Sequence, residues 1–118
     1  MSRTETLRAM REALRYLQTH LDAEVSAQRI LTLIGVAENP ASPQFELGKV
    51  IGSGNASTIS RNLNDLSHLT SRRQPGPGYI RQDPDPNSRR RNLVNLTPRG
   101  EVLVNGMVDA FNKALERK

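Results

Sequence analysis

Residues 44–66 decide the fold: Gln44-Phe45-Glu46-Leu47-Gly48-Lys49-Val50-Ile51, then Gly52-Ser53-Gly54-Asn55, then Ala56-Ser57-Thr58-Ile59-Ser60-Arg61-Asn62-Leu63-Asn64-Asp65-Leu66. Two short runs with helical apolar spacing flank a glycine-containing turn. In the first run, Phe45, Leu47, Val50 and Ile51 are the expected buried positions, and Gly52 is placed to stop the helix. In the second, expected from Ala56 to Leu69, Ile59, Leu63 and Leu66 fall on one face. The opposite face carries Ser57, Arg61, Asn64 and His68, with Thr58, Ser60 and Asp65 on its flanks. A face built only for solubility more often shows Glu and Lys. Hydroxyl, amide and guanidinium groups instead match base edges and phosphates in a major groove. The pair therefore reads as a helix-turn-helix over 44–69 whose second helix is the recognition helix.

The sequence upstream supplies two more helices. Ser2 and Glu5 have capping-box spacing, and behind them Leu7, Met10, Leu14, Leu17 and Leu21 recur at alternating steps of three and four. Such a narrow stripe over 4–22 fits the same helix of a second copy, or else packs on its own domain. Ser26 to Glu38 is apolar over more than half its circumference through Ile30, Leu31, Leu33, Ile34 and Ala37, so a central helix is expected. Asn39-Pro40-Ala41-Ser42-Pro43 breaks the chain, with Ser42 expected as N-cap and Pro43 at the first helical position.

Downstream, Ser67 to Gly78 reads as a loop broken by Pro75-Gly76-Pro77-Gly78. Tyr79–Gln82 and Asn92–Leu96 are strand candidates, joined by a turn-rich tip from Asp83 to Arg91 that carries Arg89, Arg90 and Arg91. This hairpin, 79–96, is the wing. Thr97-Pro98 then opens a helix over 98–117, with Val104, Met107, Phe111 and Ala114 at helical spacing and Leu103, Val108 and Leu115 beside them. That helix is too apolar for solvent.

Charge is segregated along the chain. Residues 1–66 balance seven Arg/Lys against seven Asp/Glu, and residues 100–118 balance three against three. Residues 67–99 hold seven Arg against two Asp, so the whole net charge of +5 lies there. Such a concentration is the footprint of a polyanion partner, unless it marks an Arg-rich solvated loop.

Several function classes fall away. At 118 residues the chain suits one domain, 1–118. No cysteine means no disulfide, thiolate chemistry or Cys-containing zinc site. The only histidines, His20 and His68, lie far apart, with no converging nucleophile or base, so no enzyme, metal or cofactor is expected. Gly76-Pro77-Gly78 lacks the strand and lysine of a phosphate loop. The apolar runs are too short to span a membrane, and Met1–Glu5 is no signal-peptide start, so a cytoplasmic protein is expected. Two Tyr, two Phe and no Trp argue against base-stacking RNA or single-strand binding.

In its order of elements from residue 26 onward, the sequence resembles the MarR (multiple antibiotic resistance regulator) family of bacterial transcription factors. Leu47–Gly52 is similar to the first helix of that family's helix-turn-helix. Ser57-Thr58-Ile59-Ser60-Arg61 followed by Leu63 and Leu66 resembles its recognition helix. Leu96-Thr97-Pro98-Arg99-Gly100 resembles the motif that closes its wing and opens its last helices. The resemblance implies a mostly α fold with a small β-hairpin wing, that is, a winged helix-turn-helix with N- and C-terminal dimerisation helices. It implies a homodimer that binds double-stranded DNA at a pseudo-palindromic operator, as a repressor. The DNA contacts would then come from Asn55, Ser57, Thr58, Ser60, Arg61, Asn64, His68, Arg72, Arg73, Arg89, Arg90 and Arg91. The dimer interface would be built from Leu7, Met10, Leu14, Leu17, Leu21, Val104, Met107, Phe111 and Leu115.

Departures from the family pattern are visible too. The C-terminal dimerisation helices reduce to one, the Gly52-Ser53-Gly54 turn is longer, and Ser67–Gly78 is an insertion. Asn87 stands where relatives often place an acid paired to the arginine two positions on, which frees Arg89 for DNA. The family's peroxide sensors use a cysteine, absent here, and its phenol-responsive members use a pocket near the dimer interface, for which this chain has few aromatics. The competing reading is a winged-helix protein-interaction or assembly module whose basic segment docks an acidic partner.

Overall fold

The computed structural model describes residues 2–52, 55–68 and 72–116, apart from the side chain of Arg89. It contains α1 (Arg3–His20), α2 (Ala27–Glu38), β1 (Ser42–Pro43), α3 (Gln44–Ile51), α4 (Ala56–Asp65), β2 (Ile80–Asp85), β3 (Ser88–Leu96) and α5 (Pro98–Glu116). This is a winged helix-turn-helix, mostly helical with one small antiparallel sheet. The chain divides into two compact units: Ser26–Glu101, and Met1–Val25 together with Val102–Lys118.

The helical unit holds α1 and all but the first turn of α5. Ser2 caps α1, its hydroxyl accepting from Glu5 N at 3.1 Å, so the capping-box spacing does what it predicts at that end. Ala9, Leu17, Leu103 and Ala114 are buried. Leu7, Met10 and Leu14 stay about half exposed, as does Val108. Leu17, expected at a surface shared with a second copy, is fully buried within the chain and so belongs to its core. Leu21, Val104, Met107, Phe111 and Leu115 are partly exposed.

The winged unit is built on α2, α3 and α4. Ser26 caps α2 by accepting from Arg29 N, and Leu33 and Val36 enter the core with Leu47, Ile51, Ile59, Leu63 and Leu66. The expected set was too generous. Leu31, Phe45 and Val50 are each about half exposed. In α3 the buried residues Leu47 and Ile51 sit four apart, and Phe45 lies about 200° round the helix from Leu47. Gly52 ends α3 in the left-handed region at φ 80°, the role its position predicts.

Three boundaries differ from the sequence reading. Ser42 does not cap α3. It lies in β1 opposite Val94, with Pro43 opposite Leu93, and the cap position falls to Pro43 without a side-chain bond. Proline drives the residue before it into extended backbone, which suits a strand as well as a cap.

Helix α4 ends at Asp65, short of the expected Leu69, because the hairpin captures its last carbonyls. Leu66 O accepts from Tyr79 N at 2.8 Å and from Ile80 N at 3.1 Å. The wing strands run further than expected, with the sheet in the order β1-β3-β2 and Ile80 opposite Leu96. Pro84 is tolerated in β2 because β2 is an edge strand. Pairing then jumps from Pro84↔Asn92 to Asp85↔Ser88, so residues 89–91 bulge from β3 with no partner on β2.

The Leu96–Gly100 motif acquires a mechanical meaning. Thr97 Oγ1 donates to Gly78 O at 2.6 Å and accepts from Gly100 N at 3.0 Å, capping α5 while tying it to the start of the wing. Gly100 has no side chain because a Cβ there would collide with the backbone carbonyl of Tyr79.

Candidate nucleic-acid interface

The winged unit carries the exposed face of α4, the wing and the loop between them. Asn55 caps α4, its Oδ1 accepting from Ser57 N, Thr58 N and the Ser57 hydroxyl, the last at 2.6 Å. The Asn55 carboxamide oxygen and the Ser57 hydroxyl proton are therefore engaged within the helix end. Arg61 is exposed and, among the described residues, takes part in no ion pair or hydrogen bond. Thr58 and Ser60 flank it, partly exposed. Five N–H donors in a planar fork make a free Arg the side chain best suited to bidentate recognition of a guanine edge or a phosphate.

Asn64 differs from this pattern. Its Oδ1 accepts from Gln82 Nε2 at 3.0 Å, which couples the end of α4 to β2. Asn64 is thus turned to the wing, and its place on the outer face corresponds to a structural tie. Asp65, expected on a flank, is bound to Arg29 of α2 at 2.8 Å. His68 lies beyond the helix end, at the neck of a loop. There His68 O accepts from Gly76 N, and Ser67 O accepts from Gly78 N. Its side chain is exposed, as are Arg72 and Arg73, and Arg73 sits at φ 57°. Leu69, Thr70 and Ser71, like Ser53 and Gly54 of the α3–α4 turn, lie outside the described residues.

The basic segment splits into committed and uncommitted cations. Arg81 Nε pairs with Asp83 at 2.9 Å, Arg91 pairs with Asp85 at 3.5 Å, and Arg99 lies over the Tyr79 ring at 5.5 Å. Arg91 also stands 5.9 Å from the centre of the Phe45 ring, with Lys49 6.0 Å from the same ring. Among the described residues Arg72, Arg73 and Arg90 carry no such partner. The Arg89 side chain lies outside the described residues, so its expected release from an acidic partner has no structural counterpart. A cleft of about 330 Å³ opens between the wing and the first turns of α3 and α4. Its walls include Phe45, Ala56, Ile59, Gln82, Arg90 and Arg91.

Sequence reasoning missed three positioning residues: Arg29, Gln82 and Gln44. Gln44 Nε2 donates to Ala56 O at 3.1 Å and so holds the first turns of the two helices together. A polar residue at the start of a helix has no periodicity to announce such a bond. The helical unit has a cleft of its own, of about 370 Å³, lined by residues that include Glu12, Tyr16, Gly106, Asp109 and Lys113. Among the described residues no His/Cys/Asp/Glu cluster could hold a metal, and no helix is long and apolar enough to cross a membrane.

No family model matches the sequence, and no curated protein matches it. Solved structures do. The structure of S. aureus MepR in complex with DNA superposes with a TM-score of 0.72 at 19% identity, covering 97% of this chain and 84% of MepR. This chain has the MarR-type winged-helix fold. The apo form of wild-type MarR from E. coli gives 0.68 at 20% identity, covering 95% of this chain and 74% of MarR. PcaV, a transcriptional regulator from Streptomyces coelicolor, gives 0.60 at 21% identity, covering 92% and 76%. The MarR-type fold accounts for the element order read from residue 26 onward, and it extends that likeness to nearly the whole chain.

Proposed function

We propose that this protein is a sequence-specific, duplex-DNA-binding transcriptional regulator that works as a homodimer. The observation that carries the reading is Arg61: an exposed guanidinium, unpaired among the described residues, on the outer face of α4, in the unit that also presents Arg72, Arg73 and Arg90. MepR, which has the same fold, is known in complex with DNA. In this reading Arg61, with Ser57, Thr58 and Ser60, reads base edges. Arg72, Arg73, His68 and the wing arginines supply phosphate or minor-groove contacts. Asn55 and Asn64 serve the interface by shaping α4. The exposed apolar face of α1, with Val104, Met107, Phe111 and Leu115 of α5, joins two copies so that two recognition helices meet one DNA face about a helical turn apart. Binding at a pseudo-palindromic operator then represses transcription by occlusion, in the cytoplasm.

Selection of bound duplexes from a random library tests this directly. The expected result is a two-fold related site whose affinity falls steeply with salt. If no site is enriched and binding does not depend on salt, the winged unit is a protein-docking module instead.

A further inference from the structure

Thr97 stands where the wing ends and α5 begins, and it bonds in both directions. Into α5, its Oγ1 accepts from Gly100 N at 3.0 Å and its carbonyl accepts from Glu101 N at 2.9 Å. Towards the start of the wing, its Oγ1 donates to Gly78 O at 2.6 Å and its N donates to Tyr79 O at 3.0 Å. The segment it grips, residues 78–80, also holds the end of α4. Gly78 N donates to Ser67 O at 3.2 Å, and Tyr79 N and Ile80 N both donate to Leu66 O. Leu66 is the residue that closes α4, and like Tyr79 and Ile80 it is buried. Gly100 completes the joint. A Cβ there would meet the Tyr79 carbonyl, so the first turn of α5 lies directly on the backbone of this segment. Three residues of backbone thus clasp the end of the recognition helix to the start of α5.

We propose that Thr97 is a specificity-determining positioning residue: its hydroxyl closes this clasp and so sets the spacing at which two half-sites are read. Helix α5 runs unbroken from Pro98 to Glu116, and it carries the residues assigned above to the surface between copies. The clasp is therefore a link between each α4 and the helix through which two copies join. One base pair added between half-sites moves one of them by about 3.4 Å and turns it by about 35°. A hydrogen bond tolerates a change of only about 0.5 Å. A closed clasp holds α4 to one spacing, whereas an open one lets it follow the neighbouring spacings. Thr97 acts without touching DNA. The inference rests on the homodimeric DNA-reading function proposed above.

The test uses the full-length protein and the duplex enriched from the random library, with versions of that duplex one base pair longer or shorter between the half-sites. The parent is expected to lose about 100-fold in affinity on either change, as one of its two attachments is given up. Thr97→Val keeps the shape of the side chain and loses both hydroxyl bonds. It should cut that penalty to about tenfold or less, with discrimination among bases inside each half-site unchanged. Thr97→Ser keeps the hydroxyl and should keep the parent's penalty. Thr97→Asp separates the clasp from the cap: its carboxylate accepts from Gly100 N but has no proton for Gly78 O, so it should relax the spacing as valine does. If Thr97 serves only to cap α5, Thr97→Asp keeps the parent's penalty. That outcome overturns the proposal, as does a loss in Thr97→Val that is equal at every spacing.

Should Thr97→Val fail to fold, Thr97→Asp, which retains a preferred cap, carries the test against Thr97→Ser. Amide hydrogen exchange reads the clasp without DNA. Exchange at Tyr79 and Ile80, whose N–H groups bond to Leu66 O, should quicken in Thr97→Val and Thr97→Asp and hold the parent's rate in Thr97→Ser. Exchange unmoved in both of the first two variants overturns the clasp itself, even where the protein reads a two-fold site. If the library yields no two-fold site, the DNA reading fails and takes the spacing role with it, whatever the exchange shows.

Discussion

Helix α4 of the winged unit and helix α1 of the helical unit leave opposite things exposed. The winged unit buries the apolar stripe of α4 and presents Ser57, Arg61 and a set of arginines. The helical unit buries Leu17 and Leu103 but leaves Leu7, Met10 and Leu14 at 53%, 50% and 45% exposure. A surface of short polar groups and free cations suits a hydrated polyanion. An aligned apolar face on one helix suits another apolar surface. The difference lies in what the two helices fail to bury, a row of apolar side chains on α1 and a polar face on α4. Burial within the chain is the filter that separates core from interface, and α1 shows it acting within a single stripe, where Leu14 is outside and Leu17 inside.

The sharpest way to break this contrast is to charge the apolar face. Leu7→Glu with Leu14→Glu should leave the fold intact and convert a dimer into monomers in sedimentation. Operator affinity should then fall by about 10²- to 10⁴-fold, as bivalent attachment is lost. A parent protein that sediments as a monomer at micromolar concentration removes the helical unit's half of the comparison.

Leu17→Ala probes the same stripe on its buried side. It should lower unfolding free energy by about 2–5 kcal/mol in a denaturant titration, the cost of a cavity in a close-packed core. Leu14→Ala measured in a monomeric background should fall within about 0.5 kcal/mol of its parent, as an exposed position does. Equal losses at the two positions mean that Leu14 is a core residue as well.

On the winged side, Arg61→Ala should weaken the selected site by about 1–3 kcal/mol and blur discrimination, with little change on random duplex. Unchanged discrimination removes Arg61 as the reading residue.

The smallest effect concerns the wing. Arg90→Ala should flatten the plot of log affinity against log salt by about one unit for specific and random duplexes alike. Arg91→Ala should flatten it less, because Arg91 is already paired to Asp85 and stands beside Phe45. The reverse ranking shows that the bulge presents Arg91, rather than Arg90, to DNA.

Much of the fold was legible because it follows from local chemistry. Ser2 and Thr97 cap helices where their positions predict, and Gly52 stops α3. Ile59, Leu63 and Leu66 sit in the core at their helical spacing. The misplaced features share one cause, a contact with a distant part of the chain. Ser42 reads as a cap until Val94 arrives beside it, and α4 reads through to Leu69 until Tyr79 and Ile80 take the Leu66 carbonyl. That the Oδ1 of Asn64, expected at a base edge, accepts from Gln82 is likewise visible only in the fold.

The sequence by itself determined the existence of the helices, the caps at Ser2 and Thr97, the wing and the concentration of positive charge in residues 67–99, since each depends on neighbours within a few positions. Only the tertiary structure decided which cations remain free. Arg81, Arg91 and Arg61 are the same residue type on similarly polar stretches, yet Asp83 holds the first and Asp85 the second, while the third has no ion pair among the described residues. Charge is a property of a residue, whereas its availability depends on which opposite charge the fold brings within about 4 Å.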